Sequence, residues 1–240
     1  MRVIVRCIIL VYALVISFTA CGSNDDPGGS GQCANGHDHT ESLICKRTDC
    51  YHQYSIGDKG PGGGIIYAVF DGQNGGWLGF EVEGVNIEGA YAHLSFDTYI
   101  AHYLEVAPED FSYLAQWGAF GTEITGVTTN TDNQLIFDAG INGRRDTMLI
   151  VAHLGTTEIG RAAQICAAAN YGGKDDWYLP GLGELLLYYG SNVEQKPTIG
   201  GYWSSSQHSS NSAWGLNFSG ITLVSGSKYG DHYVRAVRAF

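Results

Sequence analysis

The C-terminal part of the chain, from residue 200 onward, most constrains what this sequence can fold into. Short runs of β-branched and aromatic residues alternate there with turns of glycine and serine, at residues 202–204, 213–218, 221–224 and 233–238. Runs of this length between turn residues predict short strands rather than helices. A similar run at residues 65–70 follows a glycine-rich stretch and predicts a strand near the other end of the domain.

Helical patterns occur only between these two strand-rich regions. Residues 147–153 and 159–169 are apolar or alanine-rich, and a second short helix is predicted through residues 184–189, after the breaker Pro180. Strands at both ends with helices in the middle predict an α+β domain whose terminal strands pair. The 34 glycines and 15 tyrosines, with 15% charged residues, favour tight turns and long loops over long amphipathic helices.

The first twenty residues have the pattern of an export signal. Arg2 and Arg6 precede an apolar run over residues 7–16, and small residues follow up to Cys21. The run is too short to span a bilayer, which takes about twenty apolar residues. Residues 18–21 resemble a bacterial lipobox, although Phe18 stands where leucine is usual. We therefore predict a signal peptide over 1–20 and a lipid on Cys21; the alternative is an ordinary secretory signal with cleavage elsewhere.

The remaining chain divides into a tether and a domain. Residues 21–53 begin with small polar residues, which cannot bury enough apolar surface to fold, and continue into a segment rich in cysteine and histidine. The domain covers residues 54–240. With lipid as its anchor, the protein is expected in the cell envelope, at the outer membrane or cell surface. The net charge of −11 makes nucleic acid and sulfated glycans improbable partners.

Four cysteines remain once the signal peptide is removed and Cys21 carries lipid: Cys33, Cys45, Cys50 and Cys166. In an oxidising compartment they predict disulfides or free thiols, with three possible pairings. The first three lie near His37, His39 and His52, so a small zinc site is the alternative.

Five motifs occur in a fixed order, at residues 56–64, 101–108, 176–180, 202–206 and 234–238. In this order they resemble the Legionella collagen-like protein C-terminal domain family, which is common in bacterial lipoproteins, and the resemblance covers nearly all of the domain. It implies a C-type-lectin-like fold, with a twisted antiparallel sheet, two helices and long loops, and it implies binding rather than catalysis. After residue 180 the chain lacks the family's usual polar capping residue, so the helix start there is expected to be looser.

The loops of residues 207–232 form the candidate ligand-binding face. Their Ser, Asn, Tyr, Gly and Trp content is typical of antibody loops, in which aromatic rings give contact area and small polar groups give adaptable hydrogen bonds. The candidate contact residues are Gln207, His208, Ser210, Asn211, Trp214, Asn217, Lys228, Tyr229 and His232. The alternative is that these loops are ordinary solvated turns. Exposure of Trp214 and Tyr229 on one face would favour binding, whereas their burial would weaken it.

Other chemistry is less well supported by the residues. Asp175 and Asp176 suggest calcium ligands, but a turn or hydrogen-bonding role is favoured, because such a site needs six or more oxygens. Residues 204–206 with His208 suggest a hydrolase, yet no nucleophile elbow is present. We predict no catalytic residue, metal or cofactor. The predicted function is a lipid-anchored module that binds a glycan or protein; the alternatives are a structural envelope lipoprotein and, least favoured, an enzyme.

Overall fold

The computed structural model describes residues 54–72, 78–111, 114–129, 141–220 and 222–240. The predicted signal peptide, the lipid-bearing Cys21, the tether of residues 21–53 and its three cysteines lie outside the described residues. None of the helices that the structure does describe is long and apolar enough to cross a membrane.

In the described residues the chain forms eight strands and three α-helices. The strands are β1 (Ile65–Val69), β2 (Phe80–Val82), β3 (Tyr99–Ala101), β4 (Tyr103–Val106), β5 (Gly201–Gln207), β6 (Ser212–Asn217), β7 (Thr222–Ser227) and β8 (Val237–Ala239). The helices are α1 (Gly143–Leu154), α2 (Ala162–Ala167) and α3 (Leu182–Gly190), and a 3-10 helix covers Gly89–Leu94.

The strands form three small antiparallel sheets, with the orders β1-β4-β8, β2-β3 and β5-β6-β7. The α+β class is therefore confirmed. The first and last strands share a sheet, but β4 lies between them, so the predicted direct pairing of the termini is wrong. The resemblance implied one sheet and two helices, whereas the described residues form three sheets and three α-helices. The reason is that β5, β6 and β7 pair locally through tight turns and need no partner from the N-terminal half.

The boundaries of several elements differ from the prediction. Helix α1 begins at Gly143, before the apolar run at residues 147–153; its first turn is polar, with two arginines and Asp146, and so was not part of the apolar pattern. In the last predicted strand only the end, from Val237, joins a ladder; Tyr233 instead makes a single parallel bridge with Tyr202.

The start of α3 is capped, contrary to the expected looser helix start. The Glu184 carboxylate accepts a hydrogen bond from the Gly181 N–H at 2.6 Å and another from the Tyr178 hydroxyl at 2.8 Å. Glu184 is 1% exposed, so this acid is an internal cap. Glu184, three positions into the helix, thus binds the N–H of the residue before the helix, and the N–H of Leu182 donates to the Ser206 hydroxyl at 3.2 Å.

Glu184 belongs to a pair of buried carboxyl groups, the other being Asp146 of α1. Burial raises the pKa of Glu184 to about 7, and the negative charge of Asp146 adds to this. Burial likewise raises the pKa of Asp146 to about 6, against the opposing effect of the neighbouring Arg145. Both groups therefore change protonation near neutral pH, whereas solvated carboxyl groups titrate around pH 4.

Four of the five sequence motifs meet around Glu105, which is fully buried in β4. Its carboxylate accepts hydrogen bonds from the Gly62 N–H at 3.0 Å, the Gly64 N–H at 2.8 Å and the Arg238 guanidinium at 3.1 Å. Arg238 also binds Asp176, at 2.7 and 2.9 Å. A Cβ at Gly64 would lie 1.9 Å from a backbone oxygen, so only glycine lets this loop reach the carboxylate.

A second arginine of the last motif ties the C-terminal segment to the loop after β4. Arg235 donates to the Ala107 carbonyl at 2.8 Å and to the Asp110 carboxylate at 3.0 Å, and the Tyr202 hydroxyl donates to the same carboxylate at 2.6 Å. The core beside it contains three fully buried tryptophans, Trp117, Trp177 and Trp203.

Candidate binding face

The candidate face forms where the 207–232 region meets residues 114–129. A β-bridge joins Ala115 to His232, and a second joins Thr129 to Gln207. The Lys228 carbonyl accepts hydrogen bonds from the N–H groups of Trp117 and Gly118, at 3.1 and 3.2 Å. Residues far apart in sequence therefore form one surface.

Lys228 holds these two regions together from inside. It is fully buried, and its ammonium donates to the Thr122 carbonyl at 2.7 Å and to Gln207 Oε1 at 2.9 Å. The same ammonium lies 4.4 Å from the centre of the Trp117 ring, a cation–π distance. Burial lowers the pKa of Lys228 to about 8. Because Lys228 is fully buried and its ammonium bonds within the protein, its proposed role as a contact residue is corrected to that of a support.

Gln207 is also an internal residue. It is fully buried, and its side chain bonds both backbone groups of Ile124, accepting from the N–H at 2.9 Å and donating to the carbonyl at 3.0 Å. Together with Lys228 it fixes the loop of residues 117–124. Its proposed role as a contact residue is therefore corrected to that of a support.

Trp214 is 5% exposed and packs against Leu182 and the partly buried Leu223. The His208 ring meets it edge-on at 4.8 Å, and His208 Nδ1 lies 2.9 Å from the Ser212 hydroxyl. The expectation that Trp214 is exposed is wrong, because β6 directs its side chain towards α3. By the criterion set from the sequence, this burial weakens the case for binding.

The remaining candidates are partly or fully accessible. Asn211 is exposed, and Ser210 and Asn217 are half-buried. His232 is half-buried with its ring 4.2 Å from that of Trp203, and burial lowers its pKa. Asn217 Oδ1 accepts from the Ser219 N–H at 2.8 Å, which fixes the β6–β7 turn at the opposite end of the strand from Asn211.

Tyr229 is 58% exposed and stacks on Phe120, which is 41% exposed. The ring centres are 4.3 Å apart and the planes differ by 14°. A stacked pair of this exposure is unusual on a surface, where large apolar side chains are mostly scattered singly. It is the exposed aromatic feature that the predicted face requires, with Phe120 in place of Trp214.

The sequence reasoning missed Phe120. Its loop turns through three residues of positive φ, namely Gly118 (93°), Ala119 (52°) and Gly121 (87°). The strained Ala119 is held by its N–H, which donates to Glu158 Oε1 at 2.9 Å. An aromatic residue between glycines was the available signal, but nothing in the sequence connected it to Tyr229.

The alternative chemistries find little support in the arrangement of side chains. Residues 204–206 are fully buried, and His208 bonds Ser212 instead of any of them. No carboxylate in the described residues orients His208, as a catalytic base would require. Asp176 binds Arg238, in the hydrogen-bonding role predicted for it.

The described residues also contain no group of three or more His, Cys, Asp or Glu placed to hold a metal. Cys166 is a free, fully buried thiol, and burial raises its pKa well above the usual value. Of the two states predicted for the cysteines, a disulfide or a free thiol, Cys166 is therefore the free thiol.

Residues 126–238 match the family model of the Lcl C-terminal domain. In this part the chain is similar to the Lcl C-terminal domain family. The match confirms the resemblance and contains three of the five motifs. The first two motifs precede it, but Glu105 of the second motif accepts a hydrogen bond from Arg238 within it, and Gly62 and Gly64 of the first motif donate to the same Glu105 carboxylate. The wider domain over 54–240 stays a prediction that these contacts support.

The chain is also similar to one solved structure, a fimbrial protein from Bacteroides ovatus. The similarity covers 87% of this chain and 48% of the fimbrial protein, with 13% identity and a TM-score of 0.45. The chain thus spans about half of that protein, and the likeness is too distant to support an argument about function. No curated protein matches the chain.

Proposed function

We propose that this Lcl-type protein is a lipid-anchored binding module of the cell envelope, which recognises a glycan or protein through a face centred on Phe120 and Tyr229. The observation that carries the proposal is this exposed, stacked aromatic pair. Rings held in this way offer large contact area, and their side chains lose little further entropy on binding. The C-type-lectin-like arrangement implied by the family belongs to the same proposal.

The support beneath the pair favours a preformed site. Tyr229 directly follows the buried Lys228, whose bonds to Thr122 and Gln207 fix both loops at once. Asn211 lies beside them, because its carbonyl accepts the Lys228 N–H at 2.9 Å. Its exposed side chain offers the adaptable polar group that aromatic contacts need for specificity.

The anchoring part of the proposal rests on the N-terminal sequence. The signal pattern over 1–20 and Cys21 support export and a lipid anchor, which would leave the domain free at the end of the tether. Metabolic labelling with a clickable fatty acid tests this directly. We expect label on the wild-type protein and none on Cys21→Ala; label on both would contradict the assignment.

The binding experiment screens the purified full chain on glycan and protein arrays, with Phe120→Ala/Tyr229→Ala as the test variant. The matched control is Ile199→Ala, which removes a 66% exposed apolar side chain at the other end of β5. We expect both the wild type and the control to bind, and the test variant to lose at least tenfold in affinity while melting as the control does. Binding unchanged by the double substitution would refute the face.

The structural alternative keeps one specific observation in its favour, the burial of Gln207, Trp214 and Lys228. In that reading these side chains serve only to close the fold. Failure of the wild-type chain to bind on both arrays, together with an envelope defect on deletion, would favour this alternative.

A further inference from the structure

The outer edge of strand β7 is uncovered in the described part of the chain. The strand pairs with β6 in unbroken register from Ser212–Ser227 to Asn217–Thr222, without a bulge. It contains no charged residue and no proline, the devices by which exposed edges commonly avoid pairing with other chains.

The other edges of the two three-stranded sheets are covered. Beyond β1, the Ile66 N–H donates to the Asp58 carbonyl at 2.9 Å, and beyond β8, Val237 forms an antiparallel bridge with Tyr178. Beyond β5, the Ser205 N–H donates to the Pro180 carbonyl at 2.8 Å. The bare edge of β7 is thus an exception within its own fold.

The backbone groups that face outward follow from the hydrogen bonds of β5. The Trp203 N–H donates to Tyr233, away from β6, so the backbone groups of the preceding Tyr202 face Leu216 of β6. The direction of the backbone N–H and C=O groups alternates along each strand, so those of Gly215 and Asn217, on either side of Leu216, point towards β7. The Lys228 N–H donates to the Asn211 carbonyl, on the β6 side, and Lys228 lies four residues after Val224. This bond therefore fits the same alternation.

By this alternation the N–H and C=O groups of Leu223 and Ser225 point outward, while those of Val224 face β6. The outward groups have no hydrogen-bond partner among the described residues. Four unpaired backbone groups on one straight edge are a template for another strand.

We propose that this edge pairs with β7 of a second copy of the chain, in an antiparallel two-fold arrangement about Val224. The symmetry is self-complementary, since Leu223 of each copy faces Ser225 of the other and all four outward groups are satisfied. Val224 meets its counterpart across the axis, a β-branched pair favourable in sheets.

The contact itself carries no charge. Two chains of net charge −11 repel each other over most of their surface, which weakens the dimer, but the strand from Thr222 to Ser227 adds no charge where the copies meet. A contact through one short strand buries less surface than a tight dimer, whose interface buries about 1,200–2,000 Å². We therefore expect a reversible, concentration-dependent dimer, which would present two copies of the Tyr229 face and strengthen attachment through avidity. The dimer does not depend on that face binding a ligand.

Disulfide trapping of the full-length protein tests the register. In Val224→Cys the Cα atoms of the two introduced cysteines would lie about 4.5 Å apart, within the range of a disulfide. The control, Thr222→Cys, lies on the same face of the strand but about 13 Å from its counterpart, since residue 222 would face residue 226. We expect mild oxidation to give a covalent dimer of Val224→Cys well above the level of Thr222→Cys and the wild type.

Sedimentation of charge variants supplies the second arm. Val224→Lys places like charges across the axis and should leave a monomer, whereas Thr222→Lys adds the same charge away from it and should still dimerise. Thermal melting of both variants separates lost pairing from lost folding. The proposal is overturned if the wild type stays monomeric up to about 1 mM, if both cysteine variants cross-link equally, or if Val224→Cys is trapped with a different protein.

Discussion

Replacing Glu105 with glutamine tests whether the buried carboxylate organises the motifs. The isosteric amide keeps one oxygen for the N–H groups of Gly62 and Gly64, but its NH2 group replaces the oxygen that lies 3.1 Å from Arg238. A donor then faces a donor, and the buried arginine loses one of its two carboxylate partners. Breaking a buried ion pair by removing one charge costs about 3–5 kcal/mol. We expect that loss in the free energy of unfolding.

Asp176→Asn provides the matched control, because it removes the other carboxylate from the same arginine. The Asp176 side chain is 26% exposed and that of Glu105 is fully buried, so water compensates more of the loss at Asp176. We expect about 1–2 kcal/mol there. Urea unfolding of the full chain measures both values, and the midpoint temperature of Glu105→Gln should fall by roughly 6–20 °C. A cost for Glu105→Gln below that of Asp176→Asn would refute the reasoning.

Three further predictions concern other buried groups. Burial holds the folded pKa of Glu184 at about 7 against its usual 4.5, so the unfolded state releases this proton first as pH rises. The free energy of unfolding should therefore fall between about pH 5 and pH 7, and it should fall less in Glu184→Gln. An equal slope in the wild type and the variant would contradict this. A Cβ on Gly226 would lie 2.7 Å from the rings of Trp203 and His232, so Gly226→Ala should cost about 1–3 kcal/mol in urea unfolding, whereas wild-type stability would exclude the crowding. The buried Cys166 thiol should resist alkylation until the chain unfolds, and rapid labelling of the native protein, located by peptide mass spectrometry, would contradict its burial.

Local sequence signals predicted the secondary structure well where short-range pairing decides it. The strands β5, β6 and β7 pair with their neighbours in sequence, so apolar runs between glycine and serine turns sufficed to find them. For the sheet β1-β4-β8 the sequence predicted only that the terminal strands come together; the position of β4 between them was not predicted, because these strands are far apart in the chain and no periodicity records their pairing.

The candidate site shows the same division. Composition correctly drew attention to Tyr229, but it could not distinguish that exposed ring from the buried Trp214, since an aromatic residue suits both environments. Lys228 was assigned to the candidate face because it lies in the 207–232 loops, and only its contacts with Trp117, Thr122 and Gln207 make its burial favourable.

The sequence alone indicated the α+β class, the resemblance to the Lcl family and the local strands, which depend on propensities and on motifs contiguous in the chain. The tertiary structure alone decided which side chains share a surface. Phe120 and Tyr229 are more than a hundred positions apart, as are Glu105 and Arg238, and contacts of that range arise only when the whole chain is packed. Burial of a polar or aromatic group is likewise a property of all its neighbours together, and so it could not be assigned from any single segment.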